Sequence, residues 1–209
     1  MSLLARALLP AFLVLLSLAP PAAAQAYDTP TAAAAAARFE QDIRTRLLKP
    51  NERPQPLLAQ QALVVATGLV RERKFAEAVP LLERVIAHGG GTYAVWIAYS
   101  NALGAQRAAD HRRALVAAHV AWKKAANSKE SALALYYIGY WHEIMREPEE
   151  GIAAYEDSLK LDANQNVRNR LNAMVMQYRH QVVTTRADVD SEQPRLCLTF
   201  SKQIGRAHV

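Results

Sequence analysis

The chain is 209 residues long and 51% hydrophobic, with 8 Gly, 10 Pro and a formal charge of +6. That length and apolar content suit one folded domain or slightly more, and they exclude a disordered or collagen-like chain. A single cysteine excludes an intrachain disulfide framework and a cysteine-built zinc site, and the basic excess is spread along the chain, so no nucleic-acid partner is expected.

Met1 to Arg6 is a short basic segment, Ala7 to Ala19 is uncharged and largely apolar, and Ala22-Ala23-Ala24 supplies the small residues a signal peptidase requires. Residues 1–24 are therefore expected to be a secretory signal, cleaved after Ala24. The apolar run is shorter than the ~20 residues of a membrane span. No cysteine lies near the cut to take a lipid anchor, and no later segment is long and apolar enough to cross a bilayer. The mature product is expected outside the cytoplasm, in the periplasm if the source is Gram-negative.

Residues 25–56 read as an N-terminal helix and a linker. Thr29-Pro30 is a helix start with proline at the first helical position. Phe39, Ile43 and Leu47 share one helix face, and Pro50, Pro54 and Pro56 interrupt it.

From residue 57 the sequence repeats itself. Helix pairs begin near Ala59, Tyr93 and Ala132, at spacings of 34 and 39 residues. Large residues stand early in the first helices (Trp96, Leu135). Small ones stand where those helices must be crossed (Ala66, Ser100, Gly139) and where the second helices open (Ala78, Ala114, Gly151). Turns fall at Arg73-Lys74 and Arg146-Glu147. Asn127 to Glu130 is placed as a helix-capping box, Pro148-Glu149-Glu150 opens a helix, and Gly89 to Gly91 can end one.

Over residues 59 to 164 this pattern resembles the tetratricopeptide repeat family. The resemblance implies an all-α fold: a tetratricopeptide-like α-solenoid of antiparallel helix pairs over 57–181, in which small residues let helices approach and large ones fill the grooves between pairs. Departures from the family pattern are His142 where an aromatic is usual and Ala62 where a large residue is usual. A last helix from Val167 to Gln181, with Leu171, Met174, Val175 and Tyr178 on one side, would cap the stack. Arg168, Arg170, Arg179, His180 and Arg186 form an acid-free basic concentration, a solvated face or a site for an anionic partner.

After residue 181 the apolar period changes from helical to alternating. Val182 to Thr185, Ala187 to Val189 and Leu196 to Phe200 read as strands. A lone strand pair is marginal in water, so residues 182–203 are expected to begin a β domain whose remainder lies beyond them. Residues 204–209 are what ATC GGA AGA GCA CAC GTC encodes, a string that resembles a sequencing-library adapter. They are expected to be an artefact, with the native chain continuing past about Lys202.

No catalytic constellation is found, so an enzyme is not expected. His142-Glu143 lacks the second histidine of a zinc-protease helix, the glycine run lacks the lysine of a phosphate loop, and no nucleophile elbow is present. Cys197 reads as a small strand residue. No cofactor or metal is expected. In the repeat family the first helix of each pair lines the inner curve. Carried over, this gives a candidate protein-binding groove of Leu63, Thr67, Ile97, Asn101, Leu133, Tyr136, Tyr140 and Glu143, with Val70 and Ala94 beside them. Tyr136 and Tyr140 share a helix face and suit either a protein interface or ordinary packing.

Taken whole, the order of parts resembles the N-terminal region of bacterial alpha-2-macroglobulin-like proteins, which follow an export signal and a helical leader with a series of β-sandwich domains. The residues carrying this resemblance run from Val189 through Pro194-Arg195 and Leu196-Cys197-Leu198 to Phe200-Ser201. It implies a periplasmic protease trap, an endopeptidase inhibitor whose partner is a periplasmic protease or the remainder of its own chain. The Cys-x-Glu-Gln thioester motif of some members is absent, since Leu-Thr-Phe follows Cys197, so inhibition itself is not assigned to this stretch. The alternative is a free-standing periplasmic adaptor or scaffold that binds a peptide or protein in its groove.

Overall fold

The computed structural model describes residues 28–106, 108–179, 182–188 and 195–200. The expected signal segment, its cleavage point and the last residues from 201 lie outside these. The described residues are overwhelmingly helical: α1 (Pro30–Leu47), α2 (Pro56–Arg71), α3 (Phe75–Val85), α4 (Tyr93–Ala105), α5 (His111–Lys124), α6 (Ser128–Met145), α7 (Pro148–Leu161) and α8 (Gln165–Tyr178). Two strands follow, β1 (Val182–Asp188) and β2 (Arg195–Phe200), paired antiparallel with Asp188 opposite Arg195 and Arg186 opposite Cys197.

Helix ends follow local chemistry. Thr29 caps α1, its hydroxyl accepting from the Ala32 amide at 3.1 Å, with Pro30 at the first helical position. Asn127 caps α6 by accepting from the Glu130 amide at 3.0 Å, and the Glu130 carboxylate reaches back to the Ala126 amide at 2.8 Å. This is the anticipated capping box, closed one residue early. Pro56 does not end a linker; it opens α2, where its missing N–H costs nothing. The glycine run does more than stop α3. The helix widens into a π turn over Ile86–Gly90, and Gly89 leaves it at φ 89°. The last helix spans Gln165–Tyr178, shifted toward the N-terminus from 167–181 because Asn164 caps it by accepting from the Asn166 amide.

Each helix from α2 to α8 packs on the next, and α4 also touches α6. The small positions anticipated from the sequence are where neighbours meet. Ala66, Ala78, Ser100 and Ala114 are fully buried. Ser100 Oγ donates to the Ala114 carbonyl at 2.7 Å and accepts from Trp141 Nε1 at 2.8 Å, linking α4, α5 and α6 through one hydroxyl. A Cβ at Gly139 would come within 2.7 Å of Tyr155 and 3.1 Å of the Gly151 carbonyl, and one at Gly104 would overlap the Trp141 ring. The turns α2–α3 and α6–α7 share one geometry. Arg73 and Arg146 both take left-handed conformations, φ 59° and 61°. The residue after each donates five residues back, Lys74 to Leu69 and Glu147 to His142, both at 2.9 Å.

α1 does not run beside its chain neighbour α2; it packs on α5 and the π turn. Phe39 meets Trp96 and Tyr99, Ile43 is 1% exposed, and Lys123 Nζ reaches the Ala33 carbonyl at 3.4 Å across 90 residues of chain. One core cluster extends from Ala36 to Ala154. A smaller one of Ile152, Tyr155, Val167 and Met174 seats α8, with Leu171 and Val175 against it. No helix among the described residues is long and apolar enough to cross a membrane.

Candidate protein-binding groove

Helices α2, α4 and α6 carry all eight candidate residues, and the structure divides them. Leu63 and Thr67 lie in a cleft of about 350 Å³ between α2 and α4, with Val70, Ala94 and Ala98. Its lining is apolar apart from Arg71 and two threonine hydroxyls, and the Thr67 hydroxyl is already used by its own helix, donating to the Leu63 carbonyl at 2.7 Å. A second cleft of about 410 Å³ shares Leu63 and Thr92 and extends past Gln60 to Pro54 and the glycine turn. The two adjoin as a trough along α2. Ile97 is half-buried against the core, and Asn101 is half-buried on the same helix.

Leu133 and Tyr136 line a separate cleft of about 420 Å³, where α6 meets the α7–α8 junction at Ser158, Asn164 and Val167. Leu133 is exposed. Tyr140 and Glu143, on the same helix, are engaged within the chain. The Arg170 guanidinium of α8 lies 4.7 Å from the Tyr140 ring centre and donates to both Glu143 oxygens at 3.0 and 2.9 Å. The Tyr155 hydroxyl donates to Glu143 at 2.7 Å. Burial, and then this hydrogen bond, push the Tyr155 phenol far above its ordinary value, so it stays a donor. Tyr136 stacks on Tyr140 with centroids 6.2 Å apart. The basic concentration is partly absorbed in the same way, since Arg170 pairs with Glu143 and Arg179 with Glu156 at 3.0 Å.

Sequence reasoning missed a polar site on the side α1 covers. His119 is 1% exposed, and neither ring nitrogen has a partner among the described residues; the same holds for His142 Nε2. Both line a cavity of about 290 Å³ bounded by α1, α5 and Glu147 and Glu150. Burial, then His142 and Lys123, hold the His119 imidazole down to about 4. His142 Nδ1 lies 2.7 Å from Glu147, whose other oxygen takes Arg112 at 2.7 Å. Among the described residues no three His, Cys, Asp or Glu side chains gather closely enough to hold a metal ion. His119 carried no signal in the sequence because its burial depends on α1 arriving from 80 residues away.

No protein-family model matches this chain, and no curated protein matches it significantly.

Proposed function

We propose that this chain is a non-enzymatic, exported module of tetratricopeptide-like antiparallel helix pairs that acts through protein–protein contact, as the N-terminal part of a periplasmic alpha-2-macroglobulin-like protease trap. The observation that carries the reading is the trough along α2 and α4. It is open and mostly apolar, formed by the first helices of two successive pairs, with Leu63 and Thr67 in its wall. Such a surface suits an apolar segment of another protein or domain better than a small polar substrate. The matched left-handed turns at Arg73 and Arg146, and the small-residue crossings at Ser100/Ala114 and Gly139/Gly151, support the repeat geometry. The antiparallel β1–β2 ribbon directly after the helices fits the start of a β-sandwich region.

The second reading, a free-standing adaptor, rests on the same trough with a different occupant. A photo-crosslinking residue at Thr67 or Leu133, both exposed, distinguishes them when the native gene is expressed in its own host. An intramolecular crosslink to a downstream β region supports the trap module. A crosslink to a separate protein supports the adaptor. No crosslink at either position, with the protein exported and folded, defeats both.

A further inference from the structure

We propose that the outward side of α2 is a self-association surface, through which two copies of this chain pair across a two-fold axis centred on Gln61. Each helix from α3 to α7 is packed by both of its chain neighbours, whereas α1 bypasses α2 for α5 and leaves α2 at one open end of the helix stack, α8 standing at the other. The surface left there is apolar. Leu57 is 74% exposed, Val64 71%, Val65 54% and Leu58 38%. Between α2 and α3 a groove of about 290 Å³ opens on this side, lined by Leu58, Gln61, Val65 and Leu81 together with Arg84 and His88 of the α3 side. A Cβ at Gly68, one turn beyond Val64, would meet nothing within 4 Å, so a second backbone can approach there.

The arrangement identifies the occupant as a second copy. Residues 54 to 70 contain no charged side chain, so two such helices can meet without the like-charge repulsion that usually blocks self-pairing. The four exposed apolar positions are also symmetric about Gln61. An antiparallel partner crossing there sets Leu57 against Val65 and Leu58 against Val64 in both directions, which is the self-complementarity an isologous interface demands. At the centre each Gln61 amide carries both a donor and an acceptor, so the two satisfy one another. Four aliphatic side chains supply only a few hundred Å² per copy, below the ~800 Å² per partner of a standard interface, so the dimer is weak and forms only at high concentration.

Sedimentation velocity of the purified chain tests this. The weight-average mass is expected to rise from that of the monomer toward twice that value between about 10 and 500 µM. Gln61→Lys and Gln61→Glu, each at an exposed position and leaving the helical circular dichroism and Tm unchanged, should each stay monomeric, because like charges then meet across the axis. Mixing the two at low salt should restore association at least to the wild-type level. A wild-type chain monomeric at 500 µM overturns the proposal, as does a dimer indifferent to Gln61→Lys; the first outcome leaves the face to another segment or partner, and the second puts the dimer contact elsewhere.

Discussion

His119 and Gly104 show how a single position registers the packing around it. His119 contributes to α5 as a small flat ring, and its folded state must be neutral because nothing among the described residues compensates a charge there. Its imidazole titrates near 4 in the folded chain against 6.5 when unfolded. Above pH 6.5 both states are neutral and its protonation costs nothing. As pH falls from 6.5 toward 4 the unfolded state takes up the proton first, so stability declines through that window and levels off below it. The loss is on the order of 3 kcal/mol. Urea unfolding at pH 7 and pH 4.5 should therefore show a larger difference for the wild type than for His119→Leu, with the carboxylates common to both cancelling in the comparison. Gly104 is the complementary case: its value is the absence of a Cβ beneath Trp141.

At the scale of elements, α1 is held by one charged cluster as well as by its apolar face. Glu83 on α3 accepts from Tyr99 of α4 at 2.5 Å, from Arg113 of α5 at 2.7 Å and from Arg46 of α1 at 2.8 Å. Burial pushes the Glu83 carboxyl up, but the three hydrogen bonds outweigh it and leave the group below the usual carboxylate range. Glu83→Ala removes the shared acceptor and leaves the buried Tyr99 hydroxyl beside the guanidinium groups of Arg46 and Arg113, with Arg113 retaining a 4.0 Å contact to Asp110. Both arginines are partly exposed and can turn to water, so the expected loss is about 2–3 kcal/mol rather than the larger cost of a fully buried charge. Equilibrium unfolding measures it. Such clusters mark the limit of what the sequence discloses. Helix existence, caps at Thr29 and Asn127, crossings at Ser100 and Gly139, and turns at Arg73 and Arg146 were legible because each depends on neighbours a few residues away or on a repeating spacing. The partners of Glu83, the clamp of Arg170 on Glu143 and Tyr140, and the His119 cavity depend on which helices meet at long range, and no local pattern encodes that. The same reason explains the candidate groove. Leu63 and Thr67 line an open trough, while Tyr140 and Glu143, equally good by sequence, serve to seat α8.

Across the whole molecule, contacts between successive helices dominate from α2 to α8, and such local contacts form quickly. α1 is the exception. Its binding surface is assembled from α4, α5 and the π turn, so it does not exist until most of the chain has been made and packed. The segment that leaves the ribosome early must wait for a dock completed some 80 residues later. Ile43→Ala, at a fully buried position of α1, should accordingly lose about 2–4 kcal/mol at equilibrium, with nearly all of it in a faster unfolding limb and almost none in the refolding limb of the chevron. Until α1 arrives, Phe39's contacts with Trp96 and Tyr99 are unmade, and that interval is when a chaperone would find the most exposed aromatic surface on a chain otherwise already folded.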